Sequence, residues 1–397
     1  MVPYYLTNRF EIHLKGDSKL SSVLEAAKQR SVTPFRYDMV GSFLRPQALK
    51  DAREKFLKGE ISAEDLKQVE DQEIIKLVEK QKSVGLQAVT DGEFRRSWWH
   101  LDFMWDLDGV EKAEVDKGYQ FQGIETRAET ARLTGKIGFS SHPFVEHFKF
   151  LKEVSGADVI ARQTIPAPAQ FLAELQRFEN IEITKSIYCS EEELIQDIVK
   201  AYRGAILAFY NEGCRSLQLD DCTWGMLCDR NYWAARQKEG LGVENVAKLY
   251  ARLNEETIAG LPSDLTITTH VCRGNYHSAW ASSGGYEPVA EHLFGIDHIA
   301  GYYLEFDTDR AGDFKPLRHV KHQQVVLGLF SSKLGELESK EEIISRIKEA
   351  TEYVDINHIC LSPQCGFAST EEGNILTEEE QWDKLRFIKE VADEIWK

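Results

Sequence analysis

The chain has 397 residues, with 48 Lys and Arg against 65 Asp and Glu, a formal charge of −17 at neutral pH. That balance offers no field to draw in phosphates, so nucleic acids and anionic membranes are excluded as partners and small-molecule substrates are expected. A hydrophobic content of 42% beside 28% charged residues fits a folded domain with a sizeable core, and no run of about 18 apolar residues is present to span a bilayer.

The N-terminus, Met1 to Arg9, lacks a charged stretch followed by an apolar core and does not read as a secretory signal. Residues 1–33 are expected to form an N-terminal extension with a short helical pattern near Leu20–Lys28. Residues 34–397 are expected to form one catalytic domain. The seven cysteines, 189, 214, 222, 228, 272, 360 and 365, are odd in number and irregular in spacing. They suggest no disulfide framework, and a cytoplasmic setting is expected.

From Tyr37 short apolar runs alternate with long amphipathic stretches. The runs are Tyr37–Gly41, Leu86–Thr90, Val159–Ile165, Ser216–Asp220, Leu265–Val271, Tyr302–Phe306, Val325–Phe330 and His358–Leu361. Helix starts are marked by Ser62-Ala-Glu-Asp65, Ser190-Glu-Glu-Glu193, Ser339-Lys-Glu-Glu342 and Thr377-Glu-Glu-Glu380. Asn211-Glu-Gly213 reads as a glycine stop before the fourth run. Strands alternating with helices imply a parallel sheet. Eight such units predict a closed (β/α)8 TIM barrel, and no Gly-x-Gly-x-x-Gly turn follows any strand to favour an open dinucleotide-binding sheet. Segment 97–157 is long for one crossover and rich in aromatics, which predicts an inserted subdomain or lid after the second strand.

Barrel chemistry collects at the C-terminal ends of the strands. His270 and Cys272 are two apart at the end of the fifth run, so a strand would present both on one face. Such a pair alone is more often structural than metallic. Glu305 ends the sixth run and Cys365 follows the eighth. Together the four make a tetrahedral zinc set of two thiolates, an imidazole and a carboxylate, drawn from strands that only a barrel would bring together. Two thiolates and a carboxylate around Zn2+ leave about one negative charge. That is a poor centre for carbonyl hydrolysis. It suits holding a substrate thiol as a nucleophilic thiolate, whose free pKa is about 8.5, and thiol alkylation is the reaction class that follows. Glu93 and Asp220, on neighbouring strands, are candidates to bind the ammonium of an amino-acid thiol, or else ion-pair with Arg95, Arg96 or Arg215. Gly41 and Ser42 either donate to a substrate carboxylate or make a tight turn. Trp98, Trp99 and the neighbouring arginines either stack on a flat or cationic group or pack the rim.

The chain resembles the cobalamin-independent methionine synthase family, and most closely its short single-barrel homologues of the C-terminal catalytic domain. The motifs are Val40-Gly-Ser-Phe-Leu-Arg-Pro46, Thr90-Asp-Gly-Glu-Phe-Arg-Arg96, Gln218-Leu-Asp-Asp221, Thr269-His-Val-Cys272, Tyr303-Leu-Glu-Phe306 and Ser362-Pro-Gln-Cys-Gly366. The resemblance implies zinc on His270, Cys272, Glu305 and Cys365. It implies homocysteine contacts at Gly41, Ser42, Glu93 and Asp220, and methyl transfer to homocysteine sulfur to give methionine. Two departures stand out. The full-length enzyme has an additional N-terminal barrel, for which this chain has no room, so 5-methyltetrahydrofolate is only one candidate donor. The family's histidine after the seventh strand, which protonates the departing pterin, is matched here by Phe330. That implies a leaving group needing no proton, or a different acid such as His100.

The reading is therefore a zinc-dependent homocysteine S-methyltransferase. The rivals are alkylation of another thiol such as coenzyme M, a zinc hydrolase, and a non-catalytic thiol- or zinc-binding barrel. The sequence assigns no general acid and leaves the methyl donor and any homo-oligomer open.

Overall fold

Seven of the apolar runs form one parallel sheet. In the computed structural model, which describes residues 27–237 and 242–396, its strands are β1 (Ala88–Val89), β6 (Ile160–Pro166), β7 (Ser216–Asp221), β8 (Thr266–Val271), β9 (Gly301–Glu305), β10 (Gln324–Phe330) and β11 (Ile359–Pro363), hydrogen-bonded in that order. Both faces of these strands are covered, which is why they read as near-continuous apolar runs rather than alternating ones. Helices between the strands carry the outer layer. The helix Glu191–Asn211 buries Leu194, Ile195, Ile198, Tyr202, Ile206 and Phe209 against the sheet side, and stops where Gly213 takes a positive φ of 89°.

The first run, Tyr37–Gly41, makes a single parallel bridge, Tyr37 to Leu361, instead of a ladder. The reason is Asp38. Its carboxylate accepts the N–H groups of Phe35 and Met39 at 3.0 and 2.8 Å, bonds that a strand would give to a neighbour. The segment still touches both edges of the sheet. Asp38 N–H donates to Leu361, Leu361 N–H donates to Arg36, and Phe43 N–H donates to Gly92 just beyond β1.

Between β1 and β6 lie the helix Leu101–Trp105, an antiparallel pair of β2 (Asp108–Glu114) with β5 (Glu129–Gly138), a small hairpin of β3 (Gln120–Phe121) with β4 (Ile124–Glu125), and the helix Pro143–Ser155. The hairpin is tied to the loop after β8 by Gln122 N–H donating to the Trp280 carbonyl at 2.8 Å. The helix starts hold, with a difference in strength. Ser62 with Asp65 and Thr377 with Glu380 form reciprocal capping boxes, whereas Ser190 and Ser339 accept one bond each. Residues 1–26 of the extension, and with them most of the helical pattern near Leu20–Lys28, lie outside the described residues. Of the remainder, Lys28 N–H donates to Asn357 at 2.9 Å.

Register positions the site. Asp220 pairs with His270, His270 with Tyr303, and Glu305 with Gly328. Gly328 has no room for a side chain, since a Cβ there would lie 2.5 Å from the Gln364 Cα. That close approach sets Cys365, the next residue, above the sheet.

Inside the sheet, Arg162 of β6 grips Asp38 through both terminal nitrogens at 2.8 and 2.9 Å, with both side chains almost fully buried. Removing one partner strands the other charge. Asp38→Ala should therefore lower stability by about 3–5 kcal/mol in urea unfolding. A loss near zero would show that the pair does not hold segment 36–43 in place.

Candidate metal centre

The end of β8 continues in extended register because Cys272 N–H donates to the Asp221 carbonyl at 3.0 Å. His270 and Cys272 consequently leave the strand on one face. The imidazole Nδ1 lies 3.2 Å from the Tyr303 carbonyl. A carbonyl can only accept, so Nδ1 carries the proton and Nε2 keeps its lone pair. That Nε2 is buried and, among the described residues, has no partner at hydrogen-bond geometry. Glu305, the last residue of β9, is held at both oxygens: Oε1 accepts the Arg273 N–H at 2.6 Å and Oε2 accepts from Arg310 at 3.0 Å. Cys365 is held beyond β11, where Gln364 N–H donates to the Phe330 carbonyl at 2.8 Å. One ligand atom from each of His270, Cys272, Glu305 and Cys365 lies within 4.8 Å of the others, and all four residues are buried. The two sulfurs are 3.6 Å apart and both thiols are free.

Four donors converging on one dry point, with an orphaned imidazole nitrogen among them, fit a thiophilic divalent cation. The protonation energetics say the same. A hydrogen bond with Cys222, together with burial, holds the Cys272 thiol well above its ordinary value. Contact with Cys272, then burial, does so for Cys365. Burial disfavours a charged His270, but Cys365 and Glu305 favour it, and the balance lies above the ordinary imidazole value. Without a cation the cluster thus keeps protons that a bound dication would displace. Two sulfurs with one nitrogen and one oxygen favour zinc over magnesium or calcium.

Beside these donors is a recess lined by His270, Cys272, Cys365, Ser42, Glu93, Asp220 and Trp99. Glu93 and Asp220 face each other there. Glu93 sits at φ 60°, in the left-handed region that a bulky residue enters at a cost. Its Oε1 takes Arg96 at 3.2 Å and the Thr164 hydroxyl at 3.0 Å, while Oε2 is buried without a partner. Ion pairing with Arg96 is therefore real and uses only half of the carboxylate. Asp220 accepts from Gln218 at 2.8 Å. Burial raises the pKa of Glu93, with Arg96 and Arg45 opposing it, and burial followed by the Glu93 charge raises that of Asp220. A cation between them would relieve both effects. Gly41 is not among the residues lining the recess. Its carbonyl accepts from Thr90 at 2.5 Å and its φ of 147° turns the chain. Ser42 does line the recess, and its hydroxyl accepts the Ala368 N–H at 3.3 Å.

Other expectations change. Arg95 pairs with Glu70 and Asp71, and Arg215 with Asp264, so neither meets Glu93 or Asp220. Phe330 is fully buried against Phe387 of the outer helix Glu378–Ile395, with ring centroids 5.9 Å apart. It therefore stands in the core rather than in an acid's position at the mouth. His100 donates from Nε2 to Tyr119 Oη at 3.1 Å, because that hydroxyl gives its own proton to Glu174 at 2.7 Å. Burial, followed by the Arg177 charge, lowers the His100 pKa to about 3, which disfavours its charged form. Arg310, which holds Glu305, was not singled out by the sequence. Only its place five residues beyond a strand-end carboxylate could have suggested it.

Residues 36–140 and 184–394 match the family model described as the cobalamin-independent synthase catalytic domain. Protein YxjH of Bacillus subtilis is 47% identical over 372 residues, 93% of this chain and 97% of that one. A methionine synthase of Saccharolobus solfataricus is 24% identical over 343 residues, 83% of this chain and 86% of its own. The crystal structure of a candidate vitamin-B12-independent methionine synthase from Listeria monocytogenes superposes with a TM-score of 0.73 at 41% identity, covering 93% of this chain and all of that one.

Because two thiol protons must leave when a cation enters, zinc affinity should fall as pH falls. Between pH 6 and 7.5 the logarithm of the apparent association constant should rise by at least about two per pH unit in chelator competition, with the His270 proton adding to the two thiol protons. Cys272→Ser should reduce that slope by about one. A flat profile would contradict the ligand set.

Proposed function

This chain belongs to the family of cobalamin-independent synthase catalytic domains, which makes it a methyltransferase of methionine synthase type, and we propose that it is a zinc-dependent homocysteine S-methyltransferase forming methionine. The reading rests on one observation: a His-Cys-Glu-Cys donor set within 4.8 Å opens onto a recess that also holds the half-unpartnered Glu93 and Asp220. We also read the seven-stranded sheet and segment 36–43 as a closed (β/α)8 barrel spanning residues 34–397, with the β2–β5 region inserted after its second strand.

Zinc, when bound by His270, Cys272, Glu305 and Cys365, supplies a thiophilic centre that holds a thiol deprotonated at neutral pH. The chain's own residues do the rest. The free Oε2 of Glu93 and the carboxylate of Asp220 bind the substrate ammonium, which relieves the repulsion between them. Ser42, with the turn at Gly41, lies where the substrate carboxylate is received. This head-group anchoring fixes the sulfur toward the donor set and aligns it with the methyl carbon. The new S–CH3 bond forms as the bond from methyl to the donor's leaving atom breaks, and the electron pair departs with that atom. Trp99, on the wall of the recess, shields the sulfur from water.

Methionine formation from homocysteine should be sought with methyltetrahydrofolate carrying one or several glutamates, with methylcobalamin and with S-methylmethionine. Zinc-loaded protein should be active with one of these, and Cys365→Ser should lose activity together with metal. Glu93→Gln should weaken homocysteine binding by about 10- to 100-fold, the scale of a hydrogen bond to a charged group, without changing zinc content. Full turnover of metal-free protein would overturn the proposal.

A further inference from the structure

Arg273 directly follows Cys272, and its backbone N–H holds the Glu305 carboxylate at 2.6 Å. Its side chain is only 1% exposed, and among the described residues none of its three guanidinium nitrogens has a partner at hydrogen-bond geometry. The guanidinium lies over the Tyr286 ring, 4.3 Å from the centroid. The titratable groups acting on it are Tyr286, Cys228 of the helix Thr223–Cys228, and Glu305. Among the described residues no carboxylate forms an ion pair with it. The other cation at this corner, Arg310, is already engaged with both Glu305 and Asp307. A buried, unpaired guanidinium destabilises a fold unless something offsets its charge. The neighbouring donor set is complementary. Two thiolates and a carboxylate around a dication carry one surplus negative charge, and an incoming substrate thiolate adds a second.

We propose that Arg273 is a positioning residue for the thiol substrate: its unpaired buried charge offsets the surplus negative charge of the metal centre and so lets the centre accept an anionic sulfur ligand. The proposal rests on the thiol-binding reading of this site. Arg273 does not touch the substrate. It acts through the field at the donor set, where burial makes one charge count for far more than at the surface. It also fixes Glu305 through its backbone, a role that any residue at this position retains. The side chain and the backbone are therefore separable by substitution.

The test uses the full chain loaded with cobalt(II), whose absorption reports its ligands directly. Two probes are titrated at pH 7.5: 2-mercaptoethanol, which binds as an anion, and imidazole, which binds neutral. Neither carries an amino-acid head group, so Glu93 and Asp220 do not enter. Arg273→Met and Arg273→Gln, two neutral side chains of different shape, should bind 2-mercaptoethanol about tenfold more weakly than the unaltered protein, a shift equivalent to one pKa unit. Their imidazole affinity should be unchanged, and Arg273→Lys should bind both probes as the unaltered protein does. Neutral variants that keep full thiol affinity would overturn the proposal, and so would variants that lose both probes together, which would reveal a merely structural role. If 2-mercaptoethanol adds no sulfur-to-cobalt charge-transfer intensity to that already given by Cys272 and Cys365 in the unaltered protein, the thiol-binding reading fails and this proposal fails with it.

Discussion

The structure is organised around four buried donors whose mutual repulsion a bound cation would relieve. Two thiols, an imidazole nitrogen and a carboxylate oxygen meet within 4.8 Å, all out of water. Anions at that spacing repel strongly in a medium of low polarity. A thiophilic dication satisfies every donor at once. The surroundings already hold the ligands in position for it: the Tyr303 carbonyl sets the imidazole tautomer, and Arg273 and Arg310 clamp Glu305. Groups that orient ligands from behind in this way are what give a metal site its geometry.

The sheet makes that convergence possible. His270, Glu305 and Cys365 are separated by 35 and 60 positions in the chain, yet parallel register brings the strand ends to one rim. Three close approaches fine-tune it. Gly328 lets Gln364 descend onto β10. Gly366 lets the chain after Cys365 pack on Ser42, whose hydroxyl would be 1.9 Å from a Cβ there. The Asp38 carboxylate takes the N–H groups of Phe35 and Met39 as well as Arg162, while segment 36–43 reaches both sheet edges. The bent segment ends at Gly41 and Ser42, beside the recess.

Much of this could be read from the residues. The seven strands fall within a residue or two of the apolar runs, because burial on both faces leaves a clear signature. The four donors could be named because His, Cys and Glu at the ends of apolar runs are conspicuous. What could not be read depends on side-chain direction. Tyr37–Gly41 looks like its neighbours, and nothing in its hydropathy announces that Asp38 will take its N–H bonds. Phe330 lies at the end of a strand, and one-dimensional spacing cannot show that its ring turns outward to Phe387. Arg273 adjoins the most prominent motif in the chain, yet an arginine in a loop usually reaches solvent. Only the fold reveals that this one is sealed beneath Tyr286.

The account stands or falls on the donors that surround a bound metal. X-ray absorption at the zinc edge measures this directly on the full chain, with and without homocysteine. The account predicts two sulfur ligands at about 2.3 Å with nitrogen and oxygen near 2.0–2.1 Å, and a third sulfur when homocysteine is present. A shell without sulfur, or a sulfur count unmoved by homocysteine, would contradict it.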